Sequence, residues 1–436
     1  MEWGWDNARA LIGILVIFAI AFAISENKRQ FPWKIVIGAV FMQFAFALIL
    51  FGVPPIRDAL FQANIVVDAL QEATRAGTNF VFGYVGDNSL YPQNITVLDG
   101  PQTPPVFFFQ ILPIVIVVAA LSAMLWHWHI LRWITKGFAV VFQRAMGLGG
   151  ATSLAVSANV FMGMTEAPVL IRPYLKQMTR SELFILMTTG FATIAGSVLI
   201  VYVTFLEPVM GNPLAQLLTA SFMAAPAAVA LALVMVPETT PVDQRAHEPD
   251  FTYQSTMDAF STGAADGMKI VLNIATMLIA ALAILYLVNA ALGALPISVG
   301  SDASGAPIGL SIQWLLGWLF APLMYLIGIP WDEAAQSGSL MGVKTVLTEF
   351  IAFLDLANVP VDEMTPRTRI ITAHAICGFA NFGSIGILIG GLTIIEPARR
   401  ETFLDLAWKT LLAGTLATCL SGAVVGALPA ALFLGS

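Results

Sequence analysis

Two glutamates occupy stretches that are otherwise small and apolar: Glu166 in SANVFMGMTEAPVL and Glu349 in GVKTVLTEFIAFL, each directly behind a threonine. Carboxylates are costly in such surroundings, and where they persist they usually serve a ligand or ion pathway. The plainer role is to tie irregular backbone together by accepting its N–H groups, and for each residue both readings stand. As ligand groups they call for a solute rich in hydroxyl or N–H donors, because one carboxylate accepts two donors at once and so suits a vicinal diol. Asn381 offers an acceptor and donors, and Ser384 stands three residues on. Phe379 beside them is either a packing residue or a face for a planar ring. Asn159, Thr193 and nearby carbonyls offer neutral oxygens fit for a hard monovalent cation, or else caps for broken helix ends. His374 reads as a span residue rather than a proton relay. No Lys or Arg reads as unpaired in the deep core, which disfavours an anionic substrate. Two cysteines and four histidines form neither a disulfide framework nor a metal set. No nucleophile–base pair suggests an enzyme.

Composition then says what must position these residues. The 436 residues are 58% hydrophobic and 11% charged, with mean hydropathy +0.82. A soluble domain carries roughly a quarter charged residues, so this is a polytopic membrane protein. A helix crosses a bilayer in about 20 apolar residues. Eight stretches qualify: 8–25, 33–53, 105–126, 182–206, 213–236, 268–292, 371–394 and 408–433. No cleavable leader precedes the first, which is expected to be retained. Eight crossings put both termini on one side. With the Lys28/Arg29/Lys34 loop cytoplasmic, that face collects 14 of the 20 positive residues, which predicts periplasmic termini in a bacterial inner membrane. The six others, Lys344 among them, fall to the opposite face. Residues 54–77 carry too many charges to cross and read as an interfacial helix and loop. Stretches 147–178 and 328–356 mix small, polar and apolar residues around the two glutamates, and read as re-entrant hairpins.

The order of elements repeats. GFATIAG begins at Gly190 and GFANFGS at Gly378, and upstream of each lie a span, an interfacial helix and a Thr-Glu hairpin. One extra span separates the two units, so the second runs through the membrane in the opposite sense. The predicted fold is therefore an all-α polytopic protein with about eight transmembrane helices, two re-entrant helical hairpins, interfacial helices, and an inverted repeat with broken helices. Such repeats place a solute at the midplane where they meet, as in secondary transporters. The divisions are 1–104 (scaffold spans and interfacial helix), 105–206 (first repeat), 207–267 (connecting span and loop), 268–395 (second repeat) and 396–436 (last span).

The text GMTEAPVLIRPYL, TEFIAFLDL and CGFANFGSIGILIGG, with weaker agreement in FQILP and DGMKIVLNIATMLIA, resembles the concentrative nucleoside transporter family. The resemblance runs from the first span to the last. It implies a homotrimer in the lipid bilayer that imports nucleosides with sodium or, in some bacterial members, protons. Carried over by motif, Met164, Thr165 and Glu166 approach the nucleobase, Glu349, Asn381 and Ser384 hold the ribose, and Phe379 lies beside the nucleoside. Asn159, Thr193 and the carbonyls of Met162 and Ile194 form the sodium site. The chain departs from the family pattern at Met164, where many relatives have Gln, at Val343 in place of Glu, and at Thr348 in place of Asn. The first departure removes an amide reader of the base edge and leaves base preference open.

Overall fold

A computed structural model describes residues 3–86, 106–243, 252–301 and 307–434. Arg245 and His247 of the polar loop lie outside the described residues. The N-terminal part holds α1 (Trp5–Ala23), α2 (Trp33–Gly52) and α3 (Pro54–Phe82). The first repeat follows as α4 (Phe107–Gln110), α5 (Ile114–His127), α6 (Ile130–Met146), α7 (Gly150–Asn159), α8 (Ala167–Leu170), α9 (Arg180–Ala192) and α10 (Gly196–Leu206). After α11 (Pro213–Met235), the second comprises α12 (Thr256–Gly293), α13 (Ile312–Leu326), α14 (Trp331–Val346), α15 (Glu349–Asn358), α16 (Pro366–Ile376) and α17 (Phe382–Ile395). Helices α18 (Arg400–Ala427) and α19 (Ala431–Leu434) end the chain. A two-stranded antiparallel ribbon, β1 (Ser298–Ser301) with β2 (Pro307–Gly309), is a small departure from the all-helical expectation.

Seven helical stretches are long and apolar enough to cross a membrane, or eight if a bent pair counts as one. That bent pair is α13 and α14, turned by 119°. It is not the expected eighth span at 371–394. That stretch divides into a short, polar α16 and a 14-residue apolar α17. The physical reason is local: Thr368, Arg369, Thr372 and His374 face a protein interior and have no need of an apolar helix surface. The stretch expected as interfacial helix and loop is one continuous helix, α3, running on to Phe82.

Burial separates a centre from a periphery. Of the crossing segment that ends in α18, 94% is buried, against 6% for α12, so α18 is central and α12 turns its Ile279, Ile284 and Leu287 outward. Helix α18 packs against α1, α9, α11 and α16. One end of this core is tied by Glu26, which pairs with Arg180 and Lys409 while Arg180 also reaches Asp405. Those two cations pull the Glu26 carboxyl down to about 2. A carboxylate depressed in the fold stabilises it above the ordinary value of 4.5, and the effect fades as pH falls towards 2. At the opposite end, Arg9 bonds the carbonyls of Tyr325 and Ile329, and Arg367 those of Gly328 and Gly426. The Lys/Arg partition read from sequence thus corresponds to two real clusters. Lys344 belongs to neither, because it is fully buried.

Helices α13 and α14 touch backbone to backbone. An ideal Cβ on Gly338 would sit 2.4 Å from the Gly317 carbonyl oxygen. Gly338→Val should therefore lower stability by about 1–3 kcal/mol through overpacking. By contrast, a Cβ at Gly137 of α6 meets nothing within 4 Å, and Gly137→Ala should hold or raise the thermal midpoint. Thermal unfolding of both detergent-solubilised variants checks the contrast.

Candidate solute and cation sites

Both broken spans place unusual backbone beside the glutamates. Helix α9 ends at Ala192, with Thr193 as its C-cap, and α10 resumes at Gly196. In the second span, residues 377–381 separate α16 from α17. The repeated phrases therefore sit at the breaks rather than opening the spans. Asn381 caps α17, its Oδ1 accepting from the Ser384 N–H at 2.8 Å. Thr348 caps α15 in the same manner, accepting from the Ile351 N–H and leaving Glu349 in the first helical turn.

A cavity of about 180 Å³ opens between these elements. Met164, Thr165 and Glu166 line it from the turn after α7, and Glu349 from α15. Phe379, Asn381 and Ser384 line it from the second break. The seven residues singled out as substrate ligands are thus brought together on one cavity. Phe191, the repeat counterpart of Phe379, is not there: it is buried and packs under Gly414.

Glu349 is 6% exposed, so its charge needs partners. Oε1 accepts from the Tyr202 hydroxyl at 2.8 Å and Oε2 from Asn381 Nδ2 at 2.9 Å. The Asn381 oxygen is taken by its capping bond, so this amide reaches the cavity as a donor and not as the two-sided group its type allowed. Glu166 is held less firmly, by the Gly163 N–H at 3.3 Å. Its remaining acceptor capacity faces the cavity.

Tyr202 escaped sequence reasoning, although one polar-tipped aromatic in the aliphatic run VLIVYVTFL was the signal available. Its ring stacks on Phe353 at 4.5 Å and meets Phe350 edge-on, which aims the hydroxyl at Glu349.

The proposed ion ligands form a second cluster. Thr193 Oγ1 donates to the Asn159 carbonyl at 2.9 Å, joining the first break to the end of α7. Both polar atoms of the Asn159 amide are buried without a partner. The carbonyls of Met162 and Ile194 accept no hydrogen bond among the described residues. Orphaned buried oxygens of this kind, all neutral, fit a small monovalent cation. No group of three or more His, Cys, Asp or Glu residues suited to a metal ion occurs among the described residues.

A solute cavity and a neutral-oxygen cluster, built on paired broken helices in a polytopic chain, define a secondary transporter. Comparisons make the class specific. Residues 12–85 and 216–426 match the Na+ dependent nucleoside transporter N-terminus and C-terminus, and residues 108–209 match the Gate domain, described as nucleoside recognition. The chain belongs to the family of Na+-dependent nucleoside transporters, whose members are transporters and not enzymes. It is 31% identical to nucleoside permease NupC of Helicobacter pylori, covering 98% of this chain and 97% of that one. It is 35% identical to sodium/nucleoside cotransporter 1 of Rattus norvegicus, over 95% of this chain and 63% of the rat protein. Among solved structures, CNTnw in an inward-facing substrate-bound state is 33% identical with a TM-score of 0.85, covering 98% of this chain and 99% of that one. A doubly substituted CNTnw in an outward-facing state is 32% identical with a TM-score of 0.86, covering 97% of each chain. The same fold is thus known open to either side.

Tyr202→Phe deletes one donor to Glu349 and keeps the ring packing. Nucleoside affinity, measured by calorimetry on detergent-solubilised protein, should fall about tenfold, as for the loss of a hydrogen bond to a charged group. Parent affinity in that variant would reduce Tyr202 to a packing residue.

Proposed function

We propose that this protein imports nucleosides across a bacterial inner membrane by sodium symport. The observation that carries the reading is the Glu349 carboxylate, held between Tyr202 and Asn381 and facing the Met164–Glu166 turn across one cavity. Glu349 accepts the ribose hydroxyls, and the free N–H of Asn381 and the Ser384 hydroxyl fix the sugar's orientation. Phe379 offers its ring to the nucleoside, while Thr165 and Glu166 approach the base edge. Met164 brings a soft apolar surface to the base instead of a hydrogen-bonding amide, which favours broad base acceptance.

Sodium binds through Asn159, Thr193 and the carbonyls of Met162 and Ile194. The orphaned Asn159 amide favours an ion over a proton, since an amide does not titrate. Cation and cavity share the α7–α8 turn: Asn159 and Met162 lie on the ion side and Met164 to Glu166 on the solute side. An ion that orders this turn raises affinity for the nucleoside, and the coupling is reciprocal. The two hairpins, α7–α8 and α14–α15, enter the membrane without crossing it and move with the broken helices against a scaffold that includes α12. The exposed apolar faces of that scaffold suit lipid and, following the family resemblance, the partners in a homotrimer. The cluster around Glu26 and Arg180 lies on the cytoplasmic side, with both termini periplasmic.

Uptake of labelled uridine or adenosine into proteoliposomes tests this reading. An inward sodium gradient should drive accumulation that a pH gradient alone does not; full activity on pH alone would overturn the ion assignment. Glu349→Gln should lower uptake by about tenfold or more, because an amide oxygen replaces a charged acceptor. Asn159→Ala should raise the sodium concentration for half-maximal uptake by about tenfold, through loss of one buried ligand. Near-parent behaviour in either variant removes that residue from its role.

A further inference from the structure

The two repeats differ in how they supply positive charge. In the first, α7 ends at Asn159 and α9 at Ala192, and the backbone between them offers oxygens with no resident cation. The matching place in the second repeat lies where α14 and α16 end, at Val346 and Ile376. There the chain carries its own cation. Lys344, in the last turn of α14, is fully buried. Its ammonium has one hydrogen-bond partner among the described residues, Thr418 Oγ1 on α18 at 3.5 Å. A buried ammonium so poorly bonded is costly unless negative potential surrounds it. Two sources are at hand. The C-terminal turn of α14 points its unpaired carbonyls that way, and Glu349, five residues on, interacts electrostatically with Lys344.

We propose that Lys344 is a tethered cation filling, in the second repeat, the place the coupling ion takes in the first, and that it holds Glu349 as the carboxylate that binds substrate. The comparison between repeats rests on the sodium reading above; the tie to Glu349 does not. An exchangeable ion on one side and a fixed ammonium on the other make the inverted repeat chemically asymmetric. Only the Asn159 side then reports an ion gradient. The other titratable groups facing the pair are Tyr202 on α10, Cys377 beyond α16 and Cys419 on α18, with Glu166 across the cavity. Lys344 is the cation among the described residues that interacts with Glu349.

Lys344 is a positioning residue, so its test needs more than lost transport. Uridine affinity of the full-length protein in detergent is measured across pH, with and without sodium, for the parent, Lys344→Met, Lys344→Arg, Glu349→Gln and the Met/Gln double variant. Lys344→Met should weaken binding about tenfold or more at acidic pH and recover as pH rises, because a carboxyl without its cation ionises only at higher pH. Lys344→Arg should stay within about threefold of the parent, since the charge is kept in a differently shaped head group. Added to Glu349→Gln, Lys344→Met should cost no more than about twofold further, as partners in one interaction are not additive. A Lys344→Met protein with parent affinity and pH profile, or fully additive losses in the double variant, overturns the proposal. If Lys344→Met does not fold, a folded double variant supports the pairing and a double variant that also fails to fold overturns it. Sodium-independent binding by the parent would overturn the ion assignment and the comparison of repeats, while the pH profile still decides the tie to Glu349.

Discussion

A helix broken at membrane depth leaves backbone N–H and C=O groups that only protein or enclosed water can satisfy. This chain breaks two and sets the breaks against each other. The missing side chain of Gly378 permits it: an ideal Cβ there would stand 2.8 Å from the Ala192 oxygen and 2.9 Å from that of Phe191. The glycine of the second phrase thus rests on carbonyls of the first. Gly414 of α18 passes over both, close to Phe191 and Ala380. Gly190 does the same for the first hairpin, since a Cβ there would meet Met164 Cβ at 2.9 Å. The cavity, the ion ligands and the two glutamates all hang on this close crossing.

Once the breaks are packed, each unpaired terminus finds a use. In the first repeat Thr193 closes α9 and ties back to the Asn159 carbonyl, leaving the Asn159 amide exposed to an ion and little else. In the second, Asn381 turns its oxygen to cap α17 and so must point its amino group away, at Glu349. A single residue difference, Thr against Asn at matched positions, therefore separates an ion site from a sugar site. Helix capping decides which way the asparagine faces, and through it how the carboxylate is held.

Much of this was legible in the chain. Hydrophobic runs marked most spans, and the repeated phrases marked the breaks, because apolar length and small polar insertions are local properties. The split of 371–394 into a polar α16 and an apolar α17 was less visible, since a helix shielded by protein obeys no lipid-facing rule. The fates of Phe191 and Phe379, alike in sequence context, separated only when α18 covered one and the cavity opened beside the other. Lys344 read as a surface charge because nothing local to GVKTVL reports that α18 closes over it. Tyr202 was an aromatic in a span until its ring packed on Phe353 and Phe350.

The sequence by itself determined the membrane class, the inverted repeat and the residues from which the cavity is lined, because each is written in composition, order or a short motif. Only the tertiary structure decided which oxygens remain free and which are spent, that Tyr202 completes the Glu349 site, and that a lysine lies buried near it. Those outcomes depend on distances between segments separated by tens to hundreds of residues. Hydrogen bonding and burial are settled by such distances and not by the order of the chain.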